Sequence, residues 1–373
     1  MDKSKQVIAL VAVAALAVVG CGGSGAATTA PASAAAASNA PASVEASQGS
    51  AGGTYTYTSD QEGIASIEGV KLNDAGPVAA GSGERIAVVL KALNNQYWQG
   101  IQQGVEAAAK DFGVEVSLQA ASSESAQSEQ LTIAQTMVND KYDAYVFAPE
   151  SSSNLTPAIQ AVQEQGLPLV NVDDARVPAT VYVGPDHKLD GTQAAEYIGK
   201  QNPDGGQVAQ IEGQAGSSAA ILRIEGFKEG VAANPKLNLV SSVPGDWSAD
   251  KAFAATQQIL QQYPDLVGIY ANNDTMAVGV AKAVGEAGKT DQITIVGTDG
   301  VPEAINNIRE GTMAATVSPL PYYQGYWALE SAVRLLRGQD VVPWVVAPAQ
   351  LIDAANVDEY YGADGLVKQG LYK

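Results

Sequence analysis

The sequence predicts an α/β protein of two similar Rossmann-like lobes in succession, each a parallel sheet covered by helices on both faces. Three observations carry this. Short continuous apolar runs of strand length alternate with amphipathic segments of helix length from Glu84 onward. The alternating series restarts in mid-chain, near residue 186. Hydrogen-bonding residues gather just past the carboxyl end of nearly every apolar run, where open α/β sheets bind ligands.

The elements follow in order. "RIAVVL" reads as a buried strand, and "QGIQQGVEAAAKDFG" as a helix with Ile101, Val105, Ala108 and Phe112 on one face and Gly113 as its stop. "VEVSLQA" is a strand, "SAQSEQLTIAQTMVNDKY" a helix with Leu131, Ala134 and Val138 in its stripe, and "DAYVFAP" a strand. "LTPAIQAVQEQG" is a helix and "LPLVNVD" a strand. The second series then pairs "TQAAEYIGKQN" with "GQVAQIEG", "AAILRIEGFKEGVAAN" with "LNLVSSVP", "SADKAFAATQQILQQYP" with "LVGIYANN", and "DTMAVGVAKAVGEAG" with "QITIVGTD". "GTMAATVSPLP" is read as a further strand, "YYQGYWALESAVRLLRG" as a long helix, and "PAQLIDAANV" as short and extended.

Ahead of this body the composition changes. "MDKSK" is a charged start, and residues 6–20 are apolar but too short to span a bilayer with confidence. They end in "VVGC", so residues 1–20 read as a lipoprotein signal peptide with Cys21 as the lipidated residue. Residues 21–53, rich in Ala, Ser, Gly and Pro, read as a flexible tether. Residues 54–83 are left unassigned as a lead-in. Residues 84–185 with 320–350 form the expected N-terminal lobe, and 186–319 with 351–373 the C-terminal lobe.

Net charge is −19, which repels phosphate backbones and argues against a nucleic-acid partner. One cysteine and one histidine leave no thiolate or His-rich metal cluster, so neither metal nor cofactor is expected. "GEAGKT" ends like a phosphate-binding loop, but position 283 is Ala where the first Gly is needed, and the segment closes a helix rather than opening one. Asn154-Leu-Thr156 and Asn273-Asp-Thr275 are read as chance sequons. His187 beside Asp186 is assigned a structural role.

The strand ends carry Lys91, Asn95, Tyr97 and Trp98; Asp173 and Asp174; Arg223; Asp246 and Trp247; Asn272, Asn273 and Asp274; and Asp299. Acids, Arg, Lys and Asn offer donors and acceptors in fixed planes, whereas Tyr and Trp offer flat apolar faces. A sugar needs both, since hydroxyls ring its edge and C–H groups cover its faces. Taken singly, several of these residues have a simpler use. Asn94, Asp274 and Ser217 are expected to cap the helices that follow them.

"LNNQYW", "AYVFAP", "VNVDD", "EGQAGSSAA" followed by "EGF", "ANNDTMAVGVA" and "VGTDGVPEA", in that order, resemble the ribose/allose-type periplasmic sugar-binding proteins, the substrate-binding subunits of ABC importers. The likeness runs from about Glu84 to about Asp353. It implies two lobes joined by three crossing hinge strands, with a monosaccharide (a pentose or hexose) bound between them. Residue by residue, it places the ligand site on Asn95, Tyr97, Trp98, Asp173, Asp174, Arg223, Trp247, Asn273 and Asp299. Lys91, Ala148 and the acid at Asp174 match the allose-type branch. Pro319 departs from the family, which commonly has a hinge-strand glutamine there. Proline offers neither a side-chain donor nor an N–H, so one sugar contact is missing or supplied elsewhere.

The implied activity is binding, not catalysis. A monomer is expected, anchored by lipid on the extracytoplasmic face of the membrane and delivering its sugar to an ABC permease. A sugar sensor serving a chemoreceptor or sensor kinase would use the same site. A transcriptional regulator would need a basic helix-turn-helix where this chain has its apolar start and uncharged tether. A glycosidase would have to use as catalysts acids whose counterparts in the family are hydrogen-bonding ligands.

Overall fold

A computed structural model of the chain describes residues 55–58 and 65–372. The expected signal peptide, Cys21 and the tether lie outside the described residues.

After β1 (Ser66–Glu68) and a 3-10 helix (Gly69–Ala75), the first lobe runs β2 (Arg85–Ala92), α1 (Gln96–Phe112), β3 (Glu115–Ala121), α2 (Gln127–Asn139), β4 (Ala144–Phe147), α3 (Thr156–Glu164), β5 (Leu169–Val172) and β6 (Val181–Gly184). The second runs α4 (His187–Gln201), β7 (Gly206–Glu212), α5 (Ser218–Ala233), β8 (Leu237–Pro244), α6 (Ala249–Gln262), β9 (Leu266–Ala271), α7 (Asp274–Glu286), β10 (Thr294–Thr298), α8 (Pro302–Glu310) and β11 (Ala315–Ser318). Then come α9 (Pro321–Leu336), β12 (Trp344–Val346), β13 (Gln350–Asp353) and α10 (Val357–Tyr360).

The strands form two sheets, ordered β1-β12-β6-β5-β4-β2-β3 and β13-β11-β10-β9-β7-β8. Every pairing between named strands is parallel except β13 with β11. The chain passes between the sheets three times: from β6 into α4, from β11 into α9, and from β12 into β13. β2 and β7 each sit where the strand order reverses, so each lobe opens a crevice at the carboxyl end of that strand. The two crevices face one another across the hinge.

Burial follows from strand chemistry. Along β2, Ile86, Val88 and Leu90 enter one apolar cluster, while Ala87 and Val89 enter the cluster on the opposite face. Such a strand has no wet side, so its sequence is apolar throughout instead of alternating. On α1, Ile101, Val105 and Ala108 are fully buried, and Gly113 ends the helix in the left-handed conformation at φ 68°. On α2 the predicted stripe is interrupted by Gln130, fully buried. Its amide donates to Leu90 O and Ala148 O and accepts from Glu150 N, tying together the ends of β2 and β4.

The described parts of the lead-in belong to the first lobe. β1 adds a parallel edge to β12, and Gly69 lies so close to the Trp327 ring that a Cβ there would stand 2.3 Å from it. The chain's end returns to the same place. Leu371 N donates to the Tyr323 hydroxyl, and the Tyr372 ring packs edge-on against Tyr323 at 5.1 Å.

Candidate functional site

The ends of β2, β5, β7, β9 and β10 converge on a chamber between the lobes. All ten ligand residues expected from the sequence line it: Lys91, Asn95, Tyr97, Trp98, Asp173, Asp174, Arg223, Trp247, Asn273 and Asp299. Glu124 and Ala219 complete the wall.

Backbone strain marks the same places. Asp173 (φ 54°), Trp247 (φ 60°) and Asp299 (φ 130°) are non-glycine residues on the positive side of φ. Each such residue costs on the order of 1–3 kcal/mol and persists only where its surroundings impose it. Here the imposing bonds are visible: Asp173 N donates to Val183 O and Asp299 N to Val317 O, each across to the neighbouring strand. Trp247 is turned over Gly213, where a Cβ would stand 2.0 Å from the indole.

On the first lobe, Lys91 is 2 % exposed and donates to Asp174 Oδ2 at 2.5 Å, with Glu124 Oε2 at 3.5 Å. Burial alone would lower the lysine pKa, but the carboxylates of Asp174, Glu124 and Asp173 outweigh it and raise it. Burial likewise opposes ionisation of Asp174, yet Lys91 and the Ala219 N–H hold its pKa below the usual range. The pair is therefore ionised in the dry interior. Lys91 Nζ also lies 5.6 Å from the Trp98 ring centre, and Trp98 meets Tyr97 edge-to-face at 5.1 Å.

Asp174 also joins the lobes. Ser217 Oγ and Ala219 N, both of the second lobe, donate to its Oδ1 at 3.0 Å. Ser217 caps α5 as expected, accepting from Ala220 N. The other two predicted caps are corrected. Asn95, not Asn94, caps α1 by accepting from Tyr97 N, and Asn94 is exposed. Asn273, not Asp274, caps α7 by accepting from Met276 N. In both cases the cap residue is also the chamber residue. Its backbone turns the chain into the helix while its amide faces inward, so one position does both jobs. Asp274 instead accepts from Gly300 N, Val301 N and Thr316 Oγ1, fixing the loop that carries Asp299.

On the second lobe, Arg223 is 3 % exposed. It donates to Asp190 Oδ2 at 3.2 Å and to Asn272 O at 2.9 Å, and reaches Asp299 Oδ1 at 3.5 Å. Burial pushes the Asp299 carboxyl well above its usual pKa, with Arg223 pulling the other way. His187, one turn before Gly191, is buried with its ring nitrogens 3.7 Å from Asp173 Oδ1 and 3.4 Å from Asp190 Oδ2. It bridges the acids of the two lobes at the first crossing.

Two polar residues were not singled out in the sequence. Glu124 follows β3 and accepts from Asn95 Nδ2 at 2.6 Å. Reading the residues past that third strand end, as was done for the others, would have found it. Gln324 is fully buried on α9, accepts from the Tyr97 hydroxyl at 2.6 Å and donates to Asp173 Oδ1 at 3.4 Å. It is an amide reaching the site's edge from α9, the helix of the second crossing, five residues beyond Pro319. Its only trace in the sequence is one amide within the aromatic run "PYYQGYW".

Comparison with known proteins agrees with this geometry. Residues 86–340 match the periplasmic binding protein domain, and the chain belongs to that family, in its ribose/allose-type branch. It is 37 % identical over 284 residues to the D-allose-binding periplasmic protein of Escherichia coli K12, covering 73 % of this chain and 91 % of that one. It is 30 % identical over 277 residues to the ribose import binding protein RbsB of the same organism, covering 74 % and 92 %. Among solved structures, it resembles a periplasmic solute-binding protein of an ABC transporter from Actinobacillus succinogenes 130z with bound D-allose. The TM-score is 0.71 at 29 % identity, covering 74 % of this chain and all of that one. Proteins of this family bind substrates and are not enzymes, and they work outside the cytoplasm. No helix among the described residues is long and apolar enough to cross a membrane.

Proposed function

We propose that the protein captures one monosaccharide, a pentose or hexose, in the interlobe chamber and delivers it to an ABC permease. The observation that carries this reading is the chamber's mixed lining: charged and amide groups round an edge, with Trp98, Tyr97 and Trp247 as apolar slabs, all facing one interlobe chamber. Lys91, Asn95, Asp173, Arg223, Asn273 and Asp299 are assigned to hydroxyls. Asp174 serves mainly as the clamp between lobes, because its oxygens are already engaged by Lys91, Ser217 and Ala219.

Since the chamber is walled by both lobes, sugar enters when they part about the three crossings, and closure then surrounds it. Leu320, at φ 54° between β11 and α9, sits where such bending concentrates. Gln324 takes over part of what a hinge glutamine at Pro319 would supply, by holding the Tyr97 hydroxyl and Asp173 from behind. Cys21 is assigned to lipid attachment, with residues 21–53 as the tether that keeps the binding body near its permease.

The test is a thermal-shift screen of the chain from residue 54 onward against aldopentoses, aldohexoses, deoxy sugars and polyols. A matching sugar raises the melting temperature by mass action. Stabilisation by amino acids or nucleosides alone would sink the sugar reading. For the anchor, Cys21→Ser should move the protein from the membrane to the soluble fraction, and unchanged membrane retention would refute lipidation at that residue.

A further inference from the structure

On the other side of Asp174 from the chamber lies a second space of about 360 Å³, open to the surface at the hinge. Asp174, Arg176 and Tyr182 of the first lobe face His187, Ile221 and Leu222 of the second across it.

Its polar groups are unevenly satisfied. The two acids that touch it are engaged. Asp174 is held by Lys91, Ser217 and Ala219 N, and Asp186 accepts from Lys188 N and Leu189 N at the start of α4. The donors are not. Arg176 makes no ion pair among the described residues, and its Nη1 has no hydrogen-bond partner. The Tyr182 hydroxyl lies within reach of the Arg176 guanidinium but is not aligned with it as a hydrogen bond, and Tyr182 is only 5 % exposed. Both ring nitrogens of His187, 2 % exposed, also lack hydrogen bonds.

The guanidinium is held ready. It lies 4.2 Å from the Tyr182 ring centre and 3.9 Å from that of Trp344, and the Trp344 indole is fixed by its bond to Gly184 O. Gly184 makes the arrangement possible, because a Cβ there would stand 2.3 Å from the Tyr182 oxygen. A planar cation fixed between aromatic faces, with a free edge and a buried hydroxyl beside it, is built for a two-oxygen anion. The neighbouring wall is apolar: Pro185, Leu222 and Ile221, the last 55 % exposed. Inorganic anions gain nothing from such a wall, whereas an aliphatic chain does.

We propose that this hinge-side groove is a second binding site, for a small aliphatic carboxylate. The carboxylate sits on Arg176 and Tyr182, and the chain lies against Pro185, Ile221 and Leu222. The walls belong to different lobes, so the ligand's affinity differs between open and closed arrangements and its binding shifts the balance between them.

The test is calorimetric titration of the full chain, without sugar, with sodium hexanoate and in parallel with inorganic phosphate at equal ionic strength. Hexanoate should bind at one site, and Arg176→Gln should weaken it at least ten-fold. Tyr182→Phe, which keeps the ring and removes only the hydroxyl, should weaken it about three- to ten-fold and guards against a folding defect in the arginine variant. No saturable hexanoate binding at millimolar concentration, or binding that survives both substitutions, would overturn the site. Phosphate binding as tight as hexanoate would overturn its assignment to an aliphatic carboxylate.

Discussion

Arg223→Met tests the charge logic of the second lobe. The methionine keeps most of the buried volume and removes the guanidinium. Left behind are Asp190, fully buried, and Asp299, 3 % exposed, with His187 3.4 Å from Asp190 as the remaining neighbour able to carry positive charge. Breaking a buried ion pair from one side costs about 3–5 kcal/mol, because the remaining charge is desolvated and uncompensated. Against a total of about 5–15 kcal/mol the variant stays folded but is clearly weakened. The loss should depend on pH. Burial already raises the Asp299 pKa well above its usual value while Arg223 lowers it, so removing the arginine raises it further. Wherever that carboxyl is ionised, the variant holds a charge with no partner. On acidification a proton replaces the lost cation, and the deficit shrinks. Urea denaturation at pH 7 and pH 4.5 measures both values. A deficit under about 1 kcal/mol at pH 7, or the same deficit at both pH values, would refute the buried-network reading.

Gln324→Met should leave the fold intact and weaken sugar binding about ten-fold, since Tyr97 and Asp173 lose a partner worth about 1–3 kcal/mol when left unsatisfied; calorimetry with the best sugar of the screen checks this. Gly191→Ala should destabilise the protein by about 1–3 kcal/mol despite alanine's better helix propensity. Its Cβ would stand 2.2 Å from Arg223 O, where α4 and α5 touch backbone to backbone. Gly285→Ala, with nothing nearer than 4.0 Å, is the control and should stabilise slightly in the same melt. Burial raises the Asp274 pKa to about 6, against the pull of its hydrogen bonds to Thr316, Val301 and Gly300. A raised folded-state pKa gives stability that is complete below the unfolded value near pH 4. It is lost as pH climbs through about 6, a fall of about 3 kcal/mol. The difference in melting temperature between wild type and Asp274→Asn, followed from pH 4 to pH 8, should carry this slope. A pH-independent difference would refute it.

Much of this was legible from local pattern. Most of the alternation of strands and helices, though not α8, the restart into a second lobe, and ten of the twelve chamber residues could be read in advance. A parallel strand buried on both faces must be apolar throughout, and the residues past its end must be polar if they meet a ligand. β6 and β12 escaped notice because "VYVG" and "WVV" are only four and three residues long. They are strands only because β5 and β1 supply the other half of each ladder.

The chain's own chemistry determined what kinds of group line the chamber. Only tertiary structure decided what each group is free to do. Lys91 and Asp174 read as two ligands, but burial makes them an ion pair, and Ser217 from the other lobe makes Asp174 a clamp. Asn95 and Asn273 read as ligands beside separate caps, but the turn into each helix let one amide serve both purposes. Pro319 read as a missing contact, and Gln324 reached the same edge from a segment that pattern read simply as a long helix. The physical reason is common to all of these. A side chain's donors and acceptors are set by its covalent structure, whereas which of them are already spent depends on neighbours 83, 43 or 227 residues away in sequence.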